Sequence, residues 1–454
     1  MDEFDYAAWQ KANQDIDSLR GITFDLNGVM RGKRLPIAQL KKIVSGEMRM
    51  PLSTANVDIW GRDIENSKWV FATGDADGAC VWTRRGPLPM TDIKTGRRAA
   101  MLPLSLHHDD GTPFMGDARN VLASILDSYH AQGLTPVAGI ELEFYLASAR
   151  TAPSDIPVTP SSPANGATSL RDGVLAVDEL NDYDAFLSDL YAACTEQGVA
   201  VDAATSESGR GQFEVTLAHQ SDLMKVADDA MLFKHIAKYV ARQHGMAACF
   251  MAKPYAERPG NGLHVHISLL DDDGRNLFDD GGASGSDMMR YAIGGLLAHM
   301  SDSMLIFAPH LNSYRRLALE MHAPVVICWG YENRTVAVRV PHGSGAARRI
   351  EHRVAGADCN PYLMLAIILA TAMQGMEDKT DPGSPVADNA YALDLPRLPD
   401  NWQDAIKKFE ASAVTQSLLP ATCQQMFVDC KKQEYREFQQ QISPFEYFSY
   451  LDQV

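Results

Sequence analysis

Gly139-Ile140-Glu141-Leu142-Glu143-Phe144-Tyr145-Leu146 sets two glutamates on one face of an extended chain and Ile140, Leu142 and Phe144 on the other. Side chains two apart on a strand share a face. Four more segments repeat the pattern: Gln212-Phe213-Glu214-Val215-Thr216, His264-Val265-His266-Ile267-Ser268, residues 334–339, and Arg349-Ile350-Glu351-His352-Arg353. Alternation with period two predicts strands with one polar and one buried face. If the five are neighbours, their polar faces form one concave wall of acids, histidines and arginines. A wall of that kind calls for metal ions and phosphates, and it predicts an enzyme.

Each segment also has a plainer reading. Glu141 and Glu143 suit the solvated face of an edge strand, and Glu207 and Glu214, around Gly209-Arg210-Gly211, suit surface acids. Glu351 between Arg349 and Arg353 suits a structural ion-pair ladder. As a set they are costly, since two like charges 4 Å apart repel by about 4 kcal/mol at an effective dielectric near 20. Converging acids with one or two histidines are tolerable around divalent cations. Oxygen-rich ligation with sparse imidazole and no thiolate points to Mg²⁺ or Mn²⁺ rather than zinc. Arg316, Arg334, Arg339, Arg349 and Arg353 lie in or beside apolar runs such as Val336-Ala337-Val338. Guanidinium forks suit carboxylate and phosphate, and with metals they make the usual kit for phosphoryl transfer. The chain has no GxxxxGK[ST] loop and no kinase-type glycine loop, so the nucleotide site is of another kind.

Outward from these segments, 454 residues are too many for one simple domain. A net charge of −17 argues against a nucleic-acid binder, whose footprint is basic. Residues 1–10 lack the basic and apolar regions of a signal peptide, and the longest apolar run, 362–373, is too short to span a bilayer and reads as a buried helix. Seven cysteines without a CxxC pair fit reduced thiols, so a cytoplasmic protein with no membrane partner is expected.

Residues up to about 105 read as strands and turns, with Asn27-Gly28 marking a turn before the basic Arg31-Gly32-Lys33-Arg34. Residues 107–113 look like a boundary loop. Helical spacing follows over 118–130, 181–198 and 222–245, with loops over 151–169, 271–287 and 378–400 and helical segments after that. The expected fold class is α+β, with a β-rich N-terminal domain over 1–107 and a catalytic domain over 108–454.

Several motifs in one order resemble the glutamine synthetase family. They are Lys253-Pro254 through Gly262-Leu263-His264-Val265-His266-Ile267-Ser268, Asn312-Ser313-Tyr314-Arg315-Arg316-Leu317, Asn333-Arg334-Thr335-Val336-Ala337-Val338-Arg339-Val340-Pro341, and Arg349-Ile350-Glu351-His352-Arg353 with Asn360-Pro361-Tyr362-Leu363. The resemblance runs from about Gly21 to Ile442-Ser443-Pro444-Phe445-Glu446-Tyr447. It implies a glutamine synthetase fold, with an N-terminal β-grasp domain and a large α+β barrel-like catalytic domain. It also implies active sites between subunits of a homo-dodecamer of two stacked hexamers, with L-glutamate, ATP and Mg²⁺ or Mn²⁺ bound. Residue by residue, it implies Glu143, Glu207 and Glu214 for one metal and Glu141, His264 and Glu351 for the other. Arg316 and Arg353 match groups that hold glutamate and its developing γ-phosphate, with Gly260 in the glutamate loop. Arg334, Arg339 and Arg349 match phosphate-binding or nucleotide-binding arginines, and His266 and Ser268 match nucleotide contacts.

One departure bears on the nitrogen donor. Ammonia-using members carry a Gly-Tyr-Glu-Ala-Pro-like segment whose Glu closes the ammonium pocket. Here the stretch is Glu320-Met321-His322-Ala323-Pro324, with His322 at the Glu position, while Asp58 matches the other ammonium-site acid. That combination resembles the γ-glutamylputrescine and γ-glutamylpolyamine synthetase branch, as do Asp25-Leu26-Asn27-Gly28 and Phe250-Met251-Ala252-Lys253-Pro254-Tyr255. It implies a primary amine as acceptor, a di- or polyamine before a monoamine, and ammonia after both. An alkylammonium resembling lysine, with a pKa of about 10.4, needs roughly 4–5 kcal/mol to free its lone pair at pH 7. The chemistry therefore wants a cation-holding acid and a proton acceptor, expected in Asp58 and His322.

Overall fold

The computed structural model describes residues 4–150, 152, 156–164, 166, 172–318 and 323–454. Helix α1 (Tyr6–Ala12) opens the chain, capped by Asp5, whose Oδ1 accepts from Ala8 N at 2.9 Å. Strands β1 (Ile16–Phe24) and β2 (Met30–Pro36) form an antiparallel hairpin. Its turn is made at Gly28, where φ is +73° and the N–H donates to Asp25 O at 2.8 Å. The short α2 (Leu40–Val44) follows, then β3 (Arg49–Pro51), β4 (Asp77–Trp82), β5 (Leu88–Thr91) and β6 (Arg98–His107). The sheet order is β2-β1-β6-β4-β3, with β5 also on β6, and the β1–β6 pair is parallel. The helices α1 and α2 depart from an all-strand reading of this region. They are too short for a helical period to show.

The second sheet is built on a long central strand. Its members are β7 (Thr135–Ser148), β8 (Val201–Ser206), β9 (Gln212–Gln220), β10 (Met246–Cys249), β11 (Leu263–Leu270), β12 (Trp329–Tyr331), β13 (Val338–Val340) and β14 (Ile350–His352). The order is β12-β13-β14-β11-β7-β9-β8, with β10 pairing the far half of β7. Around it lie α3 (Ala118–His130), α4 (Val177–Asp182), α5 (Asp184–Glu196), α6 (Leu223–Gln243), α7 (Asp287–Phe307), α8 (Pro361–Asp378), α9 (Trp402–Ala411), α10 (Ala413–Leu418), α11 (Ala421–Gln440) and α12 (Pro444–Tyr450).

Helix α8 contains the apolar run. It starts where the Asn360 side chain accepts from Tyr362 N at 3.0 Å, with Pro361 in the first turn, and stops at Lys379 in the left-handed region. It is buried nearly all round, so truncating Leu365 or Ile368 to alanine costs about 2–5 kcal/mol. One continuous apolar core joins both sheets, from Ile22 and Leu102 through Leu142 and Val265 to α8.

Two predicted elements differ. The helix expected over 181–198 is broken at Tyr183, which leaves helical geometry, buries its ring and donates to Pro160 O at 2.9 Å. The strand expected over 334–339 covers only Val338–Val340. Asn333 Oδ1 accepts from Thr335 N at 2.9 Å and Thr335 Oγ1 at 2.6 Å, which folds the first half into a turn.

Helix α11 returns from the catalytic part onto the first sheet. Lys431 and Glu434 are wholly buried and paired at 3.0 Å. Glu434 Oε1 also accepts from Asn27 Nδ2 at 2.9 Å and Ile59 N at 2.8 Å, while Lys431 bonds the Asn27 carbonyl oxygen. Both charges are thus satisfied at the contact between the two parts.

Candidate active site

Strand register explains how distant residues converge. In the β11–β7 pair His264 stands opposite Glu141, and in the β7–β9 pair Glu143 stands opposite Glu214. Glu351 stands opposite His266 across β14–β11 and opposite Arg339 across β13–β14. Directly opposed residues in antiparallel pairs place their Cβ atoms about 4.5–5.5 Å apart. Glu207 joins from the turn after β8, where its N–H donates to Gln212 O at 2.8 Å. Ser268 lies on the same strand face as His264 and His266 and is buried.

Three groups result, each with ligand atoms within 4.8 Å of one another: Glu143, Glu207 and Glu214; Glu141, Glu214 and His264; and Glu141, His266 and Glu351. The His266 ring nitrogen Nε2 lies 2.9 Å from Glu141 Oε1, and His264 Nδ1 lies 3.4 Å from Glu141 Oε2 and 3.9 Å from Glu351 Oε1. Glu141, His264 and Glu351 are therefore neighbours, with His266 equally close.

The electrostatics divide the acids. Burial acts to raise Glu141, but hydrogen bonds from His264 and His266 outweigh it and hold the carboxyl well below its usual range. Burial likewise opposes Glu351, which Arg353, the two histidines and Arg339 bring down to about 2. Arg339 Nη1 reaches Glu351 Oε2 at 2.8 Å, and Arg353 bonds the other oxygen. Glu207 and Glu214 lie on the side of the cluster away from these arginines. Burial, then the charge of Glu143, pushes Glu207 up to about 7, and burial with four surrounding glutamates pushes Glu214 further up. A buried carboxylate cluster that holds its protons against neutral pH is suited to cations that replace them. The donor set, oxygens with one or two imidazoles and no sulfur, fits Mg²⁺ or Mn²⁺.

The arginines complete the wall. Arg316 and Arg353 are 4% and 5% exposed. The Nε atoms of Arg339 and Arg353 are buried without a hydrogen-bond partner, so two donors remain for an anion. Arg349 Nε donates to His266 Nδ1 at 3.2 Å. Gly260 and Gly262 allow the close approach: a Cβ at 260 would stand 2.7 Å from Arg316 Cγ, and one at 262 would stand 2.8 Å from both Arg316 Nη2 and His264 Nε2. Gly262 N also donates to Glu143 Oε2 at 2.7 Å.

Residues 115–450 match the family model described as glutamine synthetase, catalytic domain. The chain belongs to the glutamine synthetase family. It is 34% identical over 422 residues, 93% of this chain and 89% of the relative, to gamma-glutamylputrescine synthetase PuuA of Escherichia coli strain K12. It is 32% identical to gamma-glutamylethanolamide synthetase GlnA4 of Streptomyces coelicolor, covering 74% and 71% of the two chains. It is 29% identical to glutamate–isopropylamine ligase of a Pseudomonas species, covering 96% and 95%. A ligand-free GmaS structure superposes with a TM-score of 0.82 at 27% identity, covering 98% of this chain and 99% of that one. The α+β architecture with its two sheets is thus the glutamine synthetase fold.

Other expected site residues of this family member lie apart from the cluster or outside the described residues. His322 falls outside them. Asp58 is fully buried in its own chain: Oδ1 accepts from Trp60 N and Arg62 N, and Oδ2 from Arg62 Nε at 2.8 Å and Gln433 Nε2 at 3.0 Å. Arg334 is exposed on the 333–335 turn, where its charge still acts on Glu207. Three further contributors are not among the expected site residues. Gln212 Nε2 donates to Gly260 O at 2.9 Å and Asn261 Oδ1 at 3.1 Å, and Tyr145 Oη donates to Pro259 O at 2.9 Å. His219 lies over Gly139, its ring 5.7 Å from that of His266. Gln212 and Tyr145 lie on the polar faces of strands already identified, so period-two counting would have reached them.

Proposed function

We propose that this protein is an ATP-dependent ligase that joins the γ-carboxylate of L-glutamate to a primary alkyl amine, with a di- or polyamine favoured. The observation that carries the reaction class is the register-built carboxylate cluster beside Arg339 and Arg353, whose buried Nε donors are unpaired. The observation that carries the acceptor is His322 at the position where ammonia-using members hold a glutamate. A monoamine is the second reading, favoured by relatives named for ethanolamide and isopropylamine.

The reaction has two steps. The glutamate γ-carboxylate attacks the γ-phosphorus of ATP, releasing ADP and leaving an acyl phosphate. The amine nitrogen then attacks the acyl carbon, the carbon–oxygen bond to phosphate breaks, and the nitrogen gives up a proton. Arg316 and Arg353, with Gly260, hold glutamate and its developing phosphate. Arg334, Arg339 and Arg349, with His266 and Ser268, hold the nucleotide. Glu143, Glu207 and Glu214 would hold one divalent ion and Glu141, His264 and Glu351 a second. When bound, such ions neutralise the polyphosphate. His322 accepts the amine proton, and Asp58, which also bonds Arg62 and Gln433, is the acid that holds the alkylammonium charge.

The assembly in this reading is a homo-oligomer, a dodecamer of two stacked hexamers, in the cytoplasm. Helix α12 and the residue after it support assembly, because Phe445, Phe448 and Leu451 are 73%, 85% and 69% exposed. Free thiols at all seven cysteines support a reducing compartment.

Phosphate release from ATP with glutamate and Mg²⁺ tests the proposal, comparing ammonium, putrescine, spermidine, spermine and monoamines. Turnover strongest with a di- or polyamine is expected. Ammonium as best substrate would return the chain to ammonia-dependent synthesis, and silence with all would favour a non-catalytic binding protein. His322→Glu is expected to raise the ratio of ammonium to amine turnover, and an unchanged ratio removes His322 from acceptor selection.

A further inference from the structure

Arg316 carries glutamate binding in the reading above, yet its hydrogen bonds among the described residues go to backbone: Nη1 to Val354 O at 2.8 Å and Nη2 to Arg353 O at 3.4 Å. Its aim therefore depends on the element that ends in it, the 3₁₀ turn Leu311–Arg315. That turn is strapped on two sides. Asn312 clasps one backbone position, with Oδ1 accepting from Lys253 N at 2.8 Å and Nδ2 donating to Lys253 O at 2.9 Å. This ties the turn to the segment leading into Gly260. On the other side Ser313 Oγ accepts from His310 N at 3.0 Å and donates to Asp358 Oδ2 at 2.6 Å. This ties the turn to the loop that follows Arg353.

Asp358 is held tightly by that loop. A Cβ at Gly356 would stand 2.5 Å from Asp358 Oδ1, so the carboxylate folds over a position that a side chain would fill. Gly356 N donates to Phe307 O at 3.0 Å and Ala357 N to Asn261 O at 3.1 Å, which fixes the loop against α7 and the glutamate loop. Asp358 Oδ1 is buried with no hydrogen-bond partner. An unpaired buried oxygen of this kind is costly. The Asp358 charge acts on two buried cations, the Arg316 guanidinium, after that of Glu143, and the Lys234 ammonium.

We infer that Asp358 is a positioning residue: through Ser313 it sets the direction in which Arg316 meets the glutamate carboxylate. This inference rests on Arg316 holding glutamate. The chain of contacts runs Arg353 loop, Asp358, Ser313, Arg316, so the two substrate arginines are aligned to one another through Asp358 and Ser313.

The test compares Ser313→Ala, Asp358→Ala, Asp358→Asn and Arg316→Lys in the full-length enzyme, measuring kcat, KM for glutamate, KM for ATP and Tm. Ser313→Ala and Asp358→Ala are expected to raise KM for glutamate about ten- to hundredfold, as small misplacements of a positioning group do, with KM for ATP and Tm little changed. Asp358→Asn keeps an acceptor for Ser313 and should recover most of the loss. Parallel rises in both KM values with a lower Tm would mean a merely structural role and overturn the inference, as would an Asn variant no better than the Ala one. If Asp358→Ala does not fold, Ser313→Ala alone decides, because it removes the same bond. Arg316→Lys separates the two levels. If it leaves KM for glutamate intact, the role of Arg316 itself is wrong. If it impairs binding while Ser313→Ala and Asp358→Ala do not, only the positioning inference is lost.

Discussion

Glu214 sits where burial and the charges of Glu141, Glu143, Glu207 and Glu351 all oppose its ionised form. Neutralising it should therefore stabilise the metal-free protein while removing its use to a cation. Glu214→Gln is expected to raise Tm in chelator and to lose most of the Tm increase that Mg²⁺ gives the parent, read by thermal unfolding with and without the ion. His235 gives a pH signature of opposite origin. Burial, then Arg242 and Lys238, depresses its pKa from 6.5 to about 4. Between those values the unfolded chain binds more protons than the folded one, so stability rises with pH across that window and is lost on acidification. His235→Asn should flatten the dependence of Tm on pH between about 6.5 and 4, and an equally steep dependence would show that another group titrates there. At this scale the sequence was most informative for Glu141, Glu143, Glu214, His264 and Glu351, because alternation put each on the polar side of a strand. Glu207 lies off the strand and was reached by resemblance. His219 was missed because its place over Gly139 depends on how two strands pair, which no local pattern states.

Elements behaved as their local chemistry dictates. Helix α3 begins where its spacing predicts because Asp117 caps it through Arg119 N at 2.9 Å, and it ends before Gly133, whose φ is +68°. The stretch before Arg339 failed as a strand because Asn333 offers the backbone a competing turn. Asn333→Ala should loosen that turn and weaken ATP binding through Arg334, read as a higher KM for ATP with KM for glutamate little changed. Helix α11 makes a second prediction. Lys431→Met leaves Glu434 buried beside Asn27 and Ile59 without its cation, and is expected to cost about 3–5 kcal/mol in denaturant unfolding. The double variant Lys431→Met, Glu434→Leu should cost less than the sum of the singles, because neither charge is then left alone. This contact is not legible in the sequence, because two charges three residues apart on a helix say nothing of the sheet that packs against them.

Across the whole molecule, the division near His107 that composition suggested corresponds to the end of β6, while the apolar core continues across it. The sequence order of strands carried little of the topology, since β7 meets β11 and β9 rather than its chain neighbours β6 and β8. Family motifs supplied what periodicity lacked. The cross-strand origin of the acid cluster also says how this protein fails. Inserting one residue in β7 between Thr135 and Gly139 would turn Ile140, Leu142 and Phe144 toward the site and bury Glu141 and Glu143 in the core. Folding and catalysis are then lost in the same event, with no well-folded but idle intermediate form. For anyone engineering this scaffold, turnover doubles as a proofreader of strand alignment: a library selected for activity alone is already filtered for a correctly assembled sheet.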